Sequence, residues 1–261
     1  MVDSMQKQHI LINNKTINTW FESISLPVAP TCNMMCNFCM KDRDCISNGN
    51  NPEYLSRTMT PRQAVNWAKQ SISENKRIKI IDIAGPGEPL YNVQTFETLK
   101  RLNIELPHCY YRINTNGLLL PDKINELVKL NVRMVNVSIC SISIDGISRL
   151  YSRIVKDKSM ITRGSDMAKT ILELQYEGVR LCVANGINVG INAIYVKGVN
   201  ENEILEMASK FSKIGVNSMH LISYNTNRNN YVHLADLLSM EKLRNNISPI
   251  INDIEIKVYN Q

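Results

Sequence analysis

Three cysteines stand within eight residues, in Thr31-Cys32-Asn33-Met34-Met35-Cys36-Asn37-Phe38-Cys39. Thiolates are soft ligands, and a CxxxCxxC loop is short enough to wrap three of them around one cubane of iron and sulfide. Three protein ligands leave one iron open, whereas a cluster that only carries electrons ordinarily takes four cysteines. The triplet Cys32, Cys36 and Cys39 therefore points to a [4Fe-4S] cluster whose fourth site is kept for something other than protein. Zinc is the competing metal, but it ordinarily takes four Cys or His ligands, commonly as paired knuckles, and neither His9 nor His108 is placed as an obvious fourth. Against an accidental group of buried structural thiols stands the polar, asparagine-containing loop.

A second segment with chemical content is Ala84-Gly85-Pro86-Gly87-Glu88-Pro89. Glycines let backbone carbonyls approach a ligand, and Glu88 can accept from an ammonium; read alone, the segment is a Gly-Pro turn. Ser138 ends one apolar run and Asn192 lies inside another, either as ligand contacts or as satisfied core polar groups. Asn114-Thr115-Asn116-Gly117 closes a further run with a common turn dipeptide.

Apolar periodicity supplies the elements that must position these residues. Ile24 to Ala29 reads as a first strand, with the cysteine loop directly after it. Thr60, Pro61 and Gln63 form a capping box with proline at the first helical position, followed by Ala64, Val65, Ala68 and Ile72 at helical spacing. Ile78, Ile80, Ile81 and Ile83 make a short β-branched run of the kind buried in parallel sheets, and it ends at the Gly85 loop. Helix near Val93 to Leu102, strand near Tyr110 to Ile113, helix near Pro121 to Lys129 and strand from Val132 to Ile139 follow. Met167, Ile171 and Leu174 mark a helix that Gly178 is expected to stop. Ile187 to Val196 is a strand, Ile204 to Ile214 a helix closed by Gly215, and Val216 to Ile222 a strand. About six strand-helix units imply an α/β fold with a parallel sheet, a partial (β/α)6 TIM-like barrel. The expected organisation is an N-terminal extension over 1–23 and one barrel domain over 24–261 with a short C-terminal segment. The least periodic stretches are 45–57 and 145–162.

Bulk properties narrow the function classes. The chain has 261 residues, 44% hydrophobic, enough for one sizeable core. Its formal charge of +6 is spread along the sequence and reads as ordinary solvation, so no nucleic-acid partner is expected. The opening Met-Val-Asp-Ser-Met-Gln-Lys lacks an export signal, and no apolar run reaches bilayer length. A cytoplasmic protein with no membrane contact is expected. Seven cysteines, an odd number without an export signal, point to thiols and metal ligands in place of disulfides.

At the cysteine loop the sequence resembles the radical S-adenosylmethionine (SAM) superfamily, in which this spacing follows the first barrel strand and an aromatic residue, here Phe38, precedes the third cysteine. The resemblance implies a radical SAM type of barrel with a [4Fe-4S] cluster and SAM as cofactors. SAM would chelate the open iron, and one electron would cleave it to methionine and a 5′-deoxyadenosyl radical that abstracts hydrogen from a substrate. An electron donor such as ferredoxin or flavodoxin and anaerobic conditions are implied as well. Gly85, Gly87 and Glu88 look like a variant of the family's Gly-Gly-Glu segment for the methionyl amine. Ser138 and Asn192 correspond to polar contacts of ribose and carboxylate, and Val196 and Val199 to apolar contacts of adenine.

A closer resemblance is to NifB, the radical SAM maturase of the nitrogenase cofactor core. It rests on Leu26-Pro27-Val28-Ala29-Pro30, Asp44-Cys45, Ile83-Ala84-Gly85-Pro86-Gly87 and Thr115-Asn116-Gly117-Leu118, between about Ile24 and Tyr224. The sequence departs from NifB in having no cysteine before Cys32 and none after Cys182, and in carrying Asn50-Asn51-Pro52-Glu53-Tyr54 where NifB has Ser-Arg-Pro-Gly-Val. The implied enzyme is NifB-like with an unidentified substrate; NifB-type maturation and a non-catalytic iron-sulfur or SAM-binding module are the alternatives. Cys45 and Cys140 are open as auxiliary ligands, Cys45 also as a methyl acceptor, while Cys109 and Cys182 read as structural.

Overall fold

The computed structural model describes residues 8–12, 15–39, 58–155, 161–223, 237–247, 251 and 254–259. Cys45 and the whole of the aperiodic stretch over 45–57 lie outside them. Two compact units are formed. The first comprises Met1–Asn33, Lys41–Thr115 and Lys123–Val135, the second Met34–Met40, Asn116–Asp122 and Asn136–Gln261.

In the first unit β1 (Gln8–Ile12) lies antiparallel on β2 (Lys15–Leu26). The first barrel strand thus starts well before Ile24 and stops at Leu26, because Pro27 has no N–H to give a ladder. Parallel to it runs β4 (Ile78–Ala84), and parallel to β4 runs β5 (Tyr110–Thr115). The strand order continues to β6 (Val132–Ser138), whose first four residues belong to this unit and whose last three belong to the second. The capping box forms as the sequence requires: Gln63 N–H donates to Thr60 Oγ1 at 3.3 Å and Thr60 N–H donates to Gln63 Oε1 at 2.9 Å. These bonds open α1 (Pro61–Glu74), which buries Ala64, Val65, Ala68 and Ser71. Among the described residues this unit also carries α2 (Val93–Glu105) and most of α3 (Leu120–Lys129).

In the second unit the order is β6, β9 (Asn188–Tyr195), β10 (Ser218–Ser223) and β11 (Glu255–Tyr259), with β9, β10 and β11 parallel. A small antiparallel sheet carries β3 (Met34–Cys36), β7 (Tyr151–Val155) and β8 (Ile161–Thr162). Helices α4 (Ile144–Leu150), α5 (Gly164–Ala184), α6 (Ile204–Ser212) and α7 (Leu237–Ile247) complete it. Helix α4 and strand β7 occupy the stretch whose periodicity was weakest.

Gly178 does not stop α5, which runs six residues further to Ala184. The glycine serves packing instead of capping, for a Cβ there would sit 2.6 Å from Leu120 Cβ. Gly178→Ala gains about 1 kcal/mol of helix propensity but loses about 1–3 kcal/mol to overpacking. We expect a net loss, read as a lower urea midpoint with an unchanged m-value.

Candidate active site

The loop after β4 is held against the residues that follow β2. Gly85 has φ +55°, a conformation that favours glycine, and its carbonyl accepts from Ala29 N–H at 3.2 Å. Gly87 N–H donates to Ala29 O at 2.7 Å and Glu88 N–H to Thr31 O at 2.8 Å. At Gly87 a Cβ would fall 2.0 Å from Thr31 O, so only glycine lets the two backbones meet. Asn92 completes the clamp, with Nδ2 donating to Thr31 O and to Glu88 O, both at 2.8 Å, and Oδ1 accepting from Thr31 Oγ1 at 2.8 Å. Cys32 is the next residue along, half-buried in the same unit.

Glu88 is 3% exposed and turned into this structure. It accepts from Leu90 N–H at 3.0 Å, capping a 3-10 turn, and from Thr115 Oγ1 at 2.5 Å. Its carboxylate thus joins the end of β4 to the end of β5. Below it Asp82 and Arg112, a register pair on these strands, form a buried two-pronged ion pair: Arg112 Nη2 donates to Asp82 Oδ2 at 2.6 Å and Nε to Oδ1. The isoleucine run over 78–83 therefore contains a charge that its periodicity hides.

In the second unit Cys36 ends β3, half-buried, and Cys39 follows a turn, exposed. The turn is anchored by Asn37, whose N–H donates to Leu150 O at 2.9 Å, whose Nδ2 donates to Arg149 O at 2.8 Å, and whose Oδ1 accepts from Ser152 Oγ. Phe38 meets Tyr151 edge-on with centroids 5.7 Å apart.

The strands of this unit show the alternation that a ligand-facing sheet needs. Asn136 and Ser138 on β6, Asn188 and Asn192 on β9, and Ser218 and His220 on β10 are half-buried, and they alternate with the buried Val137, Val189, Ile191, Met219 and Leu221. Asn192 Oδ1 lies 2.9 Å from His220 Nδ1, which ties the two strands' polar side chains together. The Ser138 carbonyl takes a 2.9 Å bond from Gln175 Nε2, which also donates to Asn116 O at 2.8 Å. Val196 and Val199 belong to the turn after β9. Val196 N–H donates to Asn200 Oδ1 at 2.8 Å, and the wholly buried Asn200 sends Nδ2 to Cys140 O and Ile194 O, both at 2.7 Å. Asn37, Asn92, Gln175 and Asn200 carry no sequence signal, since their partners are mostly backbone groups, several of them distant along the chain.

Glu203 is a further charged group of this unit that sequence reading passes over. Its carboxylate accepts from Ser141 Oγ and Ser143 Oγ at 2.6 Å and from Ile142 N–H at 2.8 Å. Burial raises its pKa, but the two hydroxyls and the backbone N–H groups outweigh it, leaving the carboxyl below the usual glutamate value of 4.5. A depressed carboxylate stabilises the fold above its unfolded pKa and ceases to do so as pH falls through the folded one. Glu203→Gln should therefore lower the melting temperature at pH 7, with the gap to wild type closing as pH falls below about 4.5. A gap that holds to pH 3 would sink this reading.

Burial pushes the Cys182 thiol up to about 12 and raises the Cys109 thiol too, which suits packing cysteines. Cys140 is also buried and raised, its sulfur accepting from Ile194 N–H at 3.4 Å. Among the described residues no three His, Cys, Asp or Glu side chains are grouped to hold a single metal ion. None of the described helices is long and apolar enough to cross a membrane.

Residues 26–211 match the radical SAM superfamily. The chain belongs to that superfamily. It is 35% identical over 183 residues to the FeMo cofactor biosynthesis protein NifB of Klebsiella pneumoniae, covering 70% of this chain and 39% of that one. With the protein of the same name from Methanocaldococcus infernus it shares 31% over 207 residues, covering 78% and 67%. The chain thus spans from about two-fifths to two-thirds of these relatives. Among solved structures, Streptococcus suis SuiB bound to S-adenosylmethionine aligns with a TM-score of 0.65 at 16% identity, over 92% of this chain and 51% of that one. The AdoMet-bound anSMEcpe aligns at 0.56 and 14%, over 90% and 63%. The fold is therefore the partial TIM-like α/β barrel, and the protein is a radical SAM enzyme of the NifB-like kind. Its cofactors are a [4Fe-4S] cluster and SAM. The donor chemistry suits such a cluster, for Cys32, Cys36 and Cys39 are soft sulfur donors and none of them is fully buried.

Proposed function

We propose that Cys32, Cys36 and Cys39 hold the [4Fe-4S] cluster with one iron left to SAM, and that the chain cleaves SAM reductively to act on a substrate still to be identified. The observation that carries this reading is the clamp at Gly87, which fixes the backbone just before Cys32 against the loop proposed to take the methionyl amine. When bound, the two cofactors supply one electron and a cleavable sulfonium, giving methionine and a 5′-deoxyadenosyl radical.

The chain's own residues do the rest. The backbone of Gly85 and Gly87 admits the methionyl end, and Glu88, steadied by Leu90 N–H and Thr115 Oγ1, supplies negative charge for the ammonium. Ser138 and Asn192 offer polar contacts to ribose and carboxylate, Val196 and Val199 apolar surface to adenine, and Phe38 an aromatic contact to the cofactor just before the third cysteine. The barrel that carries this chemistry is assigned to residues 24–261, with 1–23 as an extension. Ferredoxin or flavodoxin in an anaerobic cytoplasm is the expected electron source.

Anaerobic reconstitution with iron and sulfide, followed by an assay of 5′-deoxyadenosine after reduction with SAM, tests the proposal. About four irons per chain, with cleavage lost in Cys36→Ala, is the expected result. The identity to NifB proteins favours one second reading, maturation of an iron-sulfur precursor, for which about eight irons or more and methyl transfer from SAM to a cysteine are the signature. SAM binding without cleavage would reduce the chain to a binding module.

A further inference from the structure

Strand β7 carries a bulge opposite the cysteine segment. Met34 pairs with Ile154 and Met35 with Arg153, but Cys36 pairs with Tyr151, so Ser152 has no rung of its own. Paired residues of antiparallel strands share a face, and a bulge shifts the alternation by one. In β7 Ile154 and Tyr151 are therefore buried on the face of Met34 and Cys36, while Ser152 is exposed and Arg153 half-exposed. A regular strand would have set the serine beside Cys36.

Tyr151 is 2% exposed, and its ring is held edge-on by Phe38. Its hydroxyl is buried without a hydrogen-bond partner of ordinary geometry. Cys140 is its polar neighbour, by thiol and N–H, and Cys36 is its partner across the ladder. A buried phenol keeps its proton and usually finds an acceptor, since a hydroxyl left alone loses the hydrogen bonds that water gave it.

We propose that Tyr151 is a positioning residue that donates its O–H to the Cys36 sulfur when that sulfur ligates the cluster, and so sets the cluster's reduction potential. The inference rests on Cys36 being a ligand. Reduction adds negative charge to the sulfurs, a donor to one of them stabilises the reduced state more than the oxidised one, and the potential rises. The buried hydroxyl and the bulge are then two parts of one arrangement, the second setting the tyrosine on the rung of Cys36.

The test uses the full chain, reconstituted anaerobically, with iron counted and the midpoint potential followed by electron paramagnetic resonance. Tyr151→Phe keeps the ring on Phe38 and deletes the donor. The expected result is unchanged iron with the potential shifted to a more negative value, and loss of an exchangeable proton coupled to the reduced cluster. Cys140→Ala, which removes the neighbouring thiol but not the donor, should leave the potential in place. An unchanged potential in Tyr151→Phe overturns the proposal, and so does a fall in its iron content, which would assign the tyrosine to holding the loop. A Cys36→Ala variant that still loads and cleaves SAM would instead remove the ligand assignment beneath it.

Discussion

Gly87→Ala is expected to cost about 3 kcal/mol or more of stability and at least tenfold in SAM affinity of the reconstituted protein. The methyl group has no side chain to push aside: it would meet Thr31 O at 2.0 Å, Thr31 C at 2.4 Å and Ala29 O at 3.0 Å, all backbone. Relief requires the loop to withdraw, which breaks the bonds from Gly87 N–H to Ala29 and from Glu88 N–H to Thr31. Urea denaturation and calorimetric titration with SAM give the two readouts. Wild-type stability would show that the clamp yields; normal stability with normal SAM affinity would separate this loop from the methionyl site.

Arg112→Leu is the second large effect. Its guanidinium is the two-pronged partner of Asp82, and both are almost wholly buried. Removing one member of a buried pair leaves an uncompensated charge, at a cost of about 3–5 kcal/mol, whereas replacing both by apolar residues is often near neutral. The double variant Asp82→Leu/Arg112→Leu should therefore recover most of the stability lost by Arg112→Leu alone. Additive losses in the cycle would mean that the pair supports the fold through packing alone.

How far the fold can be read from the chain depends on the range over which its signals act. The box at Thr60 and Gln63 is local, and the helix starts where the residues say. The parallel strand over 78–84 announces itself by a β-branched run that burial explains. Gly178 misleads because a helix stop and a close helix contact ask for the same residue, and the contact with Leu120 lies 58 positions away. The site follows the same rule. The cysteine spacing and the Gly-Pro-Gly-Glu loop are compact and visible, while their supports are not. Asn92 is 61 residues from Thr31, and Asn37 grips the end of a helix 112 residues on. An asparagine that ties backbone across such a distance looks, in sequence, like any loop asparagine. The charge pair at Asp82 was hidden in another way, by sitting inside an isoleucine run whose pattern it hardly disturbs.

The unpaired residue of β7 bears on how this chain should be lined up with its relatives. Ser152 occupies no rung, so a protein lacking it would still bring the aromatic to Cys36 with the strand merely straightened. Numbering forward from the preceding helix would then be one out, and a tyrosine would look lost. Counting backward along the ladder from Met34 and Ile154 gives the true equivalent. Within this branch the rung facing the second cysteine, rather than any fixed spacing, is the coordinate by which ancestry at this position is to be traced.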